Sequence, residues 1–386
     1  MSMAESRAIQ AIARHGRATI IGYAGAGCVG GMLATRLPGW MADSGFTAGA
    51  IGLMLAGSRL SRIVVIPVIL ETIAARGRPS VGALLITATI AVSMFLPLIG
   101  LGKIGWLGVE LIGPTLLATL ISQLDWLSSG NGPSRMDPSR YGVRRSAASA
   151  GYAITAVLAG LAWKHAAGEM MIAASFVILV SGCATAWNLA DIVEAPRFHD
   201  IPPREQGRFA FFMLAAAPVL IQASHGLYPL TPLLWAEAGR TPAEIGFLWG
   251  VAAFSEIAFF ATIPWFKRHV TNWPRVLLIL GGAGATLRWI VLANSTAMVP
   301  LILSQTLHAL SFGASLTGTL ALIQGRLVGR SSARAVGINQ GLQSGLFPAV
   351  SLGLSGFLLH VLGQQSFLVM AALALAGTFA ALHAEL

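Results

Sequence analysis

Residues 276–295 read VLLILGGAGATLRWIVLANS, and Arg288 is the only charged residue among these 20. A helix rises 1.5 Å per residue, so a helix of this length crosses the ~30 Å hydrocarbon core of a bilayer. A strand of a membrane barrel would instead alternate apolar and polar side chains over about ten residues. The stretch therefore predicts a transmembrane helix.

The whole chain shares this apolar character. Of its 386 residues, 10% are charged and 55% are hydrophobic, and the mean hydropathy is +0.73. An average soluble domain is about 25% charged, so this chain has too few polar side chains to cover a globular surface in water. Twelve apolar spans can be placed along it: 18–37, 48–70, 80–100, 104–124, 144–163, 168–190, 209–234, 242–264, 276–295, 298–323, 335–360 and 365–384. The sequence predicts an all-α integral membrane protein with twelve transmembrane helices, because helices satisfy their backbone hydrogen bonds within lipid.

Motifs of enzymes are absent from the sequence. It contains no GxSxG, HExxH or Walker A pattern. Residues 25–30 imitate a GxGxxG motif, but they lie inside the first span with no strand before them. Cys28 and Cys183 are the only cysteines, and both lie in apolar stretches, so neither a disulfide nor a metal site is expected. We therefore expect a protein that is not an enzyme and carries no cofactor.

Lysine and arginine are distributed unevenly over the two sides of the predicted membrane. With twelve spans both termini lie on one side, and that side carries 18 of the 25 Lys and Arg residues, against four on the opposite side. By the positive-inside rule, both termini are predicted to be cytoplasmic. Residues 1–17 form a short basic segment without a clean cleavage site, so the first span is expected to be retained. The net charge of +10 follows from this topology and gives no reason to expect nucleic-acid binding.

A charged linker divides the chain near its middle. Residues 191–208 carry seven charges and three prolines, between apolar regions on either side. This composition predicts a six-helix bundle at 1–190, a cytoplasmic linker at 191–208 and a second six-helix bundle at 209–386.

An internal repeat indicates that the two halves are related. When the sequence is shifted by 194 residues, 38–63 falls on 232–257 with eight identities, whereas composition alone would give about two. The shift places Arg62 opposite Glu256. These residues could face each other, or each could line its own half of a cavity. Duplicated six-helix bundles with a ligand site between them are one of the known transporter architectures.

Charged side chains inside the spans are candidates for a functional site, since a charge in lipid costs at least about 2.5–3.5 kcal/mol. Glu256, Arg288 and His308 form an acid, a base and a titratable imidazole on three successive spans of the second half. Such a set can load and unload a proton; a buried salt bridge that fixes helix packing is the alternative. Span edges place Arg288 about 10 Å nearer the outer face than Glu256, so an arrangement in steps without mutual contact is also open.

The first half offers a candidate anion site. Arg59 and Arg62 lie at i and i+3 on one face of the second span, and Glu110 lies in the fourth span. Two cations in a cavity would attract an anionic substrate. The alternative is that one arginine neutralises Glu110.

Polar residues of the seventh span form a third candidate group. Gln222, His225 and Tyr228 are close in sequence, and His225 and Tyr228 share a helix face at i and i+3. A hydrogen-bonding substrate site and a packed, satisfied histidine are equally open. Three tryptophans are interpreted as interface anchors and packing residues rather than substrate platforms: Trp235, Trp249 and Trp289.

Several short stretches carry motifs of one known family. In the second half they are 222–228 (QASHGLY), 245–250 (IGFLWG), 287–289 (LRW), 307–314 (LHALSFGA) and 339–341 (NQG). Weaker ones in the first half are 45–52 and 141–144. Together they resemble the 3-phenylpropionate permease-like branch of the major facilitator superfamily, which is related to lactose permease and nucleoside:proton symporters. Residues 71–78 (ETIAARGR) lack the Asp-Arg pair that the superfamily usually has after the second span, which puts its usual conformational latch in doubt.

The resemblance implies a secondary transporter. In this family the acid of the eighth span, the arginine of the ninth and the histidine of the tenth are associated with proton coupling and substrate recognition, and they match Glu256, Arg288 and His308. We expect a proton-coupled symporter of a bacterial inner membrane that imports a small organic solute, such as an aromatic or other organic anion. Its partners would be substrate, protons and the lipid bilayer, and it would work as a monomer. An exporter of the same fold, a membrane sensor and a membrane-embedded enzyme remain the alternatives.

Overall fold

The computed structural model describes residues 3–128, 140–161, 167–190, 208–325 and 329–383. Within these ranges the chain is helical and contains no β-strand. The helices of the first half are α1 (Met3–Asp43), α2 (Ala48–Arg76), α3 (Pro79–Ser93), α4 (Gly102–Ser128), α5 (Tyr141–Leu161) and α6 (Ala167–Asn188). Those of the second half are α7 (Arg208–Ala223), α8 (Thr231–Glu237), α9 (Pro242–His269), α10 (Trp273–Asn294), α11 (Met298–Thr306), α12 (Ser315–Gln324), α13 (Gly329–Gly341), α14 (Phe347–Leu362) and α15 (Ser366–His383).

Each of the twelve predicted spans falls mainly on one of these helices or on a run of them, but the third, 80–100, is helical only as far as Ser93 and continues as turns. Nine helical stretches among the described residues are long and apolar enough to cross a membrane. The seventh span is interrupted by a 3₁₀ turn at Tyr228–Leu230, and the tenth and eleventh contain π-helical segments at Ala309–Ala314 and Leu342–Leu346. The protein is therefore an all-α, multi-pass membrane protein, as predicted. Most of the predicted linker, 191–207, lies outside the described residues.

The fifth predicted span begins too late. Helix α5 starts at Tyr141, so Arg144 and Arg145, the first two residues of the predicted span, follow a full first turn and are each only 5% exposed. Asp125, which lies just beyond the fourth predicted span, is in the last turn of α4 and is fully buried. The hydropathy pattern ends the fourth span too early and starts the fifth too late because it treats these charges as solvated. In the structure they contact partners inside the protein.

The outside of the bundle is apolar and its interior holds charges. Six large apolar side chains among the described residues are between 69% and 79% exposed: Leu53, Ile104, Phe176, Trp187, Phe254 and Val299. In contrast, Glu110, Asp125 and Arg288 are at most 1% exposed. This arrangement fits a bilayer, where apolar surface faces lipid and ionisable residues face the bundle interior.

The start of the first span, within α1, and the end of α15 lie at one end of the bundle, which we call the terminal end; the opposite end is the distal end. At the start of the first span, the Ala18 carbonyl accepts a hydrogen bond from Thr185 near the end of α6, at 3.2 Å. Near the start of α10, Arg275 donates to the carbonyls of Ala381 and Leu382 at the end of α15. Because successive spans alternate in direction, these contacts place the start of the first span and the end of α15 at the same end.

The sequence repeat corresponds to a repeated turn at the distal end. Gly45 follows α1 and Gly239 follows α8, with positive φ angles of 81° and 84° that favour glycine. Thr47 and Thr241 then cap α2 and α9, each accepting a backbone hydrogen bond at 3.2 Å from the residue three positions later. The repeat therefore preserves the residue types that these turns require.

The two halves meet along two helix seams. In the first seam, α13 and the π segment after it pack against α2, and glycines allow the backbones to approach. A Cβ built on Gly341 would lie 3.1 Å from the Arg62 carbonyl oxygen, and one on Gly345 would lie 2.9 Å from that of Arg59. Small residues at such contacts are typical of close packing between membrane helices.

The second seam joins α5 to α9 along most of its length. Toward the terminal end, a Cβ on Gly142 would lie 2.7 Å from the Phe260 carbonyl oxygen. Toward the distal end, a Cβ on Gly160 would lie 3.5 Å from the Cα of Gly246. The seam is therefore closed at both ends in this conformation.

Candidate functional site

A cavity of about 450 Å³ lies between the two halves. This volume is within the usual range for small-molecule sites. Eight of the nine predicted site residues line it: Arg59, Arg62, Glu110, Gln222, His225, Tyr228, Glu256 and His308. The ninth, Arg288, is fully buried and contacts the His308 ring.

Glu256, His308 and Arg288 form a continuous buried chain. Nε2 of His308 lies 2.9 Å from Oε1 of Glu256, and Nδ1 of the same ring lies 2.7 Å from Nη1 of Arg288. Oε2 of Glu256 accepts a hydrogen bond from Ser149 of α5 at 2.5 Å. The acid and the base are thus joined through the imidazole, and the arrangement in separate steps is wrong.

These contacts determine where the ring hydrogen lies. Arginine has no acceptor atom, so Nδ1 of His308 must accept from Arg288. In a neutral imidazole the hydrogen is then on Nε2, which donates to Glu256. Both Glu256 oxygens accept hydrogen bonds, as an ionised carboxylate does. A proton added at Nδ1 would face the Arg288 N–H groups, so protonation of the imidazole requires the chain to rearrange.

Arg288 is held in place by several neighbours besides His308. Its Nη2 lies 3.4 Å from Oε1 of Gln305, and its guanidinium carbon lies 4.2 Å from the ring centre of Tyr228 and 4.6 Å from that of Trp289. Guanidinium groups are attracted to aromatic faces at such distances. Among the described residues, no carboxylate is in direct contact with this buried cation.

The arginines of α2 face the cavity without forming an ion pair. Among the described residues, no carboxylate lies within 4.0 Å of Arg59 or Arg62. Glu110 instead accepts a hydrogen bond from Ser58 at 2.7 Å. Arg62 donates one N–H to the Ser344 carbonyl across the α2–α13 seam, at 3.4 Å. The alternative in which an arginine directly neutralises Glu110 is therefore not what the structure shows.

Arg62 and Glu256, equivalent in the repeat, do not form an ion pair with each other. Each lies in the same position of its helix, 14 residues after Ala48 and Pro242 respectively. Both line the cavity, but Arg62 contacts Ser344 whereas Glu256 contacts its own set of partners. Each residue lies on the cavity wall and has a hydrogen-bond partner in the opposite half, Ser344 for Arg62 and Ser149 for Glu256.

Gln222, His225 and Tyr228 all line the cavity and also hydrogen-bond within the second half. Gln222 donates to Ser315 at 2.7 Å, and Tyr228 donates to Gln305 at 2.8 Å. The His225 ring lies 3.1 Å from the Ile221 carbonyl and 3.3 Å from Ser311, which also accepts from Arg288. The seventh span is thus connected to the surroundings of Arg288.

An aromatic wall covers the side of the cavity next to Glu256. The ring centres of Tyr228 and Trp249 are 4.5 Å apart, and Tyr152 of α5 lies 6.0 Å from Trp249. All three residues line the cavity. The interpretation of Trp249 as a packing residue misses this position on the cavity wall.

Sequence reasoning also missed a buried polar cluster in the first half. Asp125 accepts hydrogen bonds from Tyr23 at 2.6 Å and from Tyr141 at 2.9 Å, and Nε of Arg145 lies 3.8 Å from the same oxygen. Asp125, Arg145 and Ser149 all line the cavity. The charges of Asp125 and Arg145 were interpreted only as lying at the edges of predicted spans, and the uncharged Ser149 does not stand out in the hydropathy pattern.

The cavity is closed at the terminal end. Tyr141 of the first half packs with Leu316, Leu320 and Val336 of the second half, and each is at most 6% exposed. On the distal side, the cavity wall includes Leu37, Pro38 and Pro229. The conformation thus brings the halves together at the terminal end.

Two helical halves around a cavity that contains charged side chains are the architecture of a class of secondary transporters. The comparison with known families agrees, since residues 31–370 match the MFS_1 like family. The chain belongs to this family of major facilitator transporters, and it is a transport protein rather than an enzyme.

Known proteins are similar in sequence or in fold. The "Probable 3-phenylpropionic acid transporter" of Escherichia coli (strain K12) is 27% identical over 165 residues, which are 42% of this chain and 43% of that protein. The aligned segment thus spans less than half of the relative. The human organic anion transporter MFSD10 (TETRAN) superposes with a TM-score of 0.73 at 14% identity, over 96% of this chain and 99% of that chain. The nucleoside transporter NupG gives 0.67 at 13% identity, over 96% and 98%. At such identities the structures share the fold.

Proposed function

We propose that the protein is a proton-coupled symporter of a bacterial inner membrane that takes up a small aromatic or other organic anion. Bundles at 1–190 and 209–386 rock about the cavity and expose it to each side in turn, with both termini in the cytoplasm. One copy of the chain carries out the cycle. The relative named as a 3-phenylpropionic acid transporter supports this substrate class.

The chain from Glu256 through His308 to Arg288 is the observation that carries proton coupling. Its contacts of 2.9 and 2.7 Å lie inside the second half, next to the cavity. In the arrangement described above, Glu256 is ionised and His308 is neutral. A proton on Glu256 weakens its contact with His308, and a proton on Nδ1 of His308 breaks the contact of the ring with Arg288. Proton binding is therefore linked to a rearrangement of these side chains. Arg288 supplies a fixed positive charge that favours release of the proton.

The first half supplies the anion site in this proposal. Arg59 and Arg62 line the cavity, and no carboxylate of the described residues lies within 4.0 Å of either. A substrate carboxylate would accept charge-assisted hydrogen bonds from these guanidinium groups. Tyr152, Tyr228 and Trp249 offer an apolar aromatic face for a ring on the same molecule.

The test is uptake by purified protein in vesicles with an acidic exterior. We expect wild-type protein to accumulate 3-phenylpropanoate beyond the level in protein-free vesicles, which measure passage of the neutral acid through lipid. Glu256→Gln should abolish this extra accumulation, because the amide cannot take up and release the proton. Exchange of labelled for unlabelled substrate needs no net proton release and should be less affected.

Glu244→Gln is the matched control. It makes the same chemical change on α9, at a partly exposed position in the first turn of the helix and outside the cavity. Accumulation by E256Q equal to wild type would refute the assigned proton site. Accumulation that occurs only when the vesicle interior is more acidic than the exterior would instead indicate an exporter.

A further inference from the structure

We infer that Ser149 is a positioning residue whose bond to Glu256 makes closure of the α5–α9 seam depend on the charge of that carboxylate. The inference rests on the proposed proton site and deepens it. An uncharged residue of the first half thereby makes contact between the halves sensitive to the protonation state of an acid in the second half.

The contact crosses between the halves and is buried. Ser149 Oγ donates to Oε2 of Glu256 at 2.5 Å, and the two residues are 3% and 6% exposed. His308 occupies the other carboxylate oxygen. Ser149 is therefore the hydrogen-bond partner of Glu256 that comes from the opposite half, and Arg145, one turn earlier on α5, adds an electrostatic attraction to the same carboxylate.

The packing of the seam fixes this contact. On the terminal side of Ser149, Gly142 approaches the Phe260 backbone; on the distal side, Gly160 approaches Gly246. The two helices are thus in close contact on both sides of the hydrogen bond. The bond forms when the seam is closed in this way, and it is lost if α5 moves away from α9.

Charge decides how strong the contact is. A hydroxyl donates more strongly to an ionised carboxylate than to a neutral carboxyl group. The closed seam therefore stabilises ionised Glu256, and by linkage ionised Glu256 stabilises the closed seam to the same extent. A proton on Glu256 weakens the contact and makes separation of the helices easier. Ser149 thereby connects proton loading to movement between the halves.

The experiment compares proton-driven accumulation with substrate exchange in vesicles. Ser149→Ala removes the hydroxyl, and we expect the ratio of accumulation to exchange to fall at least about fivefold, the factor that corresponds to one hydrogen bond. Ser149→Thr keeps a hydroxyl and should restore much of the ratio. The pH dependence of accumulation should also change in S149A, which a role limited to packing would not cause.

Ser146→Ala is the matched control. Ser146 lies one turn away on α5 and its hydroxyl donates within its own helix, to the Val143 carbonyl at 2.8 Å. S146A should keep the wild-type ratio. Ser149→Cys provides a second variant if S149A does not fold, and it should lower the ratio because a thiol is a weaker donor.

Two outcomes would overturn the inference: a wild-type ratio in folded S149A or S149C, or equal loss in S149A and S149T. A failure of wild-type protein to accumulate substrate would refute the proposed proton coupling itself, which separates the two claims.

Discussion

His308 joins an acid and a base that do not touch each other. The sequence places Glu256 and Arg288 at different depths in the membrane. That estimate uses a rise of 1.5 Å per residue, which locates Cα atoms and ignores the reach of side chains. The long Arg288 side chain and the imidazole close this gap, with contacts of 2.7 and 2.9 Å. The sequence could therefore identify the three residues but not their connection.

Ser149 shows a different limit at the scale of residues. Charges inside apolar spans can be found because lipid penalises them. A serine carries no such penalty, so neither its burial nor its bond to Glu256 can be predicted from the sequence. Tertiary packing alone gives it this position.

The anion site makes a prediction about Arg62. Arg62→Gln removes one charge from the cavity, and we expect the affinity for 3-phenylpropanoate to fall about tenfold or more, as expected for loss of a hydrogen bond between charged groups. Isothermal titration calorimetry of the purified protein would measure the change. Arg240→Gln is the control, since Arg240 lies near the distal end and pairs with Glu244 at 3.5 Å. Equal affinities of R62Q and wild type would exclude Arg62 from the anion site.

At the scale of elements, the sequence predicted the repeated turns best, because their backbone conformation requires particular residue types. Gly45 and Gly239 recur because both turns have positive φ, and Thr47 and Thr241 recur because both cap a helix. The start of α5 could not be predicted in the same way. Its charged residues look like a loop until Asp125 is placed beside Arg145.

The α2–α13 seam makes a prediction about conformation. Gly341→Val adds a branched side chain where a Cβ alone would lie 3.1 Å from the Arg62 carbonyl oxygen. We expect the helices to separate and the halves to move apart at the terminal end. Spin labels on R76C in α2 and R268C in α9, in a protein whose native cysteines are replaced, should report longer distances by pulsed electron resonance.

Gly353→Val is the control for this seam. Gly353 lies in α14, and a Cβ built there meets no atom within 4 Å. G353V should give the wild-type distance distribution. An unchanged distribution in folded G341V would show that the contact does not hold the terminal end closed.

At the scale of the whole molecule, the fold could be predicted because lipid allows few solutions. Apolar stretches of about 20 residues specify helices, and each predicted span falls mainly on helical structure. The arrangement of helices around the cavity depends on contacts between distant parts of the chain, such as Arg62 with Ser344. Hydropathy does not predict which distant residues are in contact, so only part of the cavity wall could be predicted from the sequence.

The central claim is that substrate and protons cross the membrane together, and proton movement tests it most directly. Wild-type protein would be placed in lightly buffered vesicles, and external pH would be recorded after addition of 3-phenylpropanoate, with protein-free vesicles as the baseline. We predict alkalinisation of the exterior beyond that baseline, in step with substrate entry, because each transport cycle carries a proton inward. Protein-dependent substrate entry without proton movement above the baseline would contradict the account.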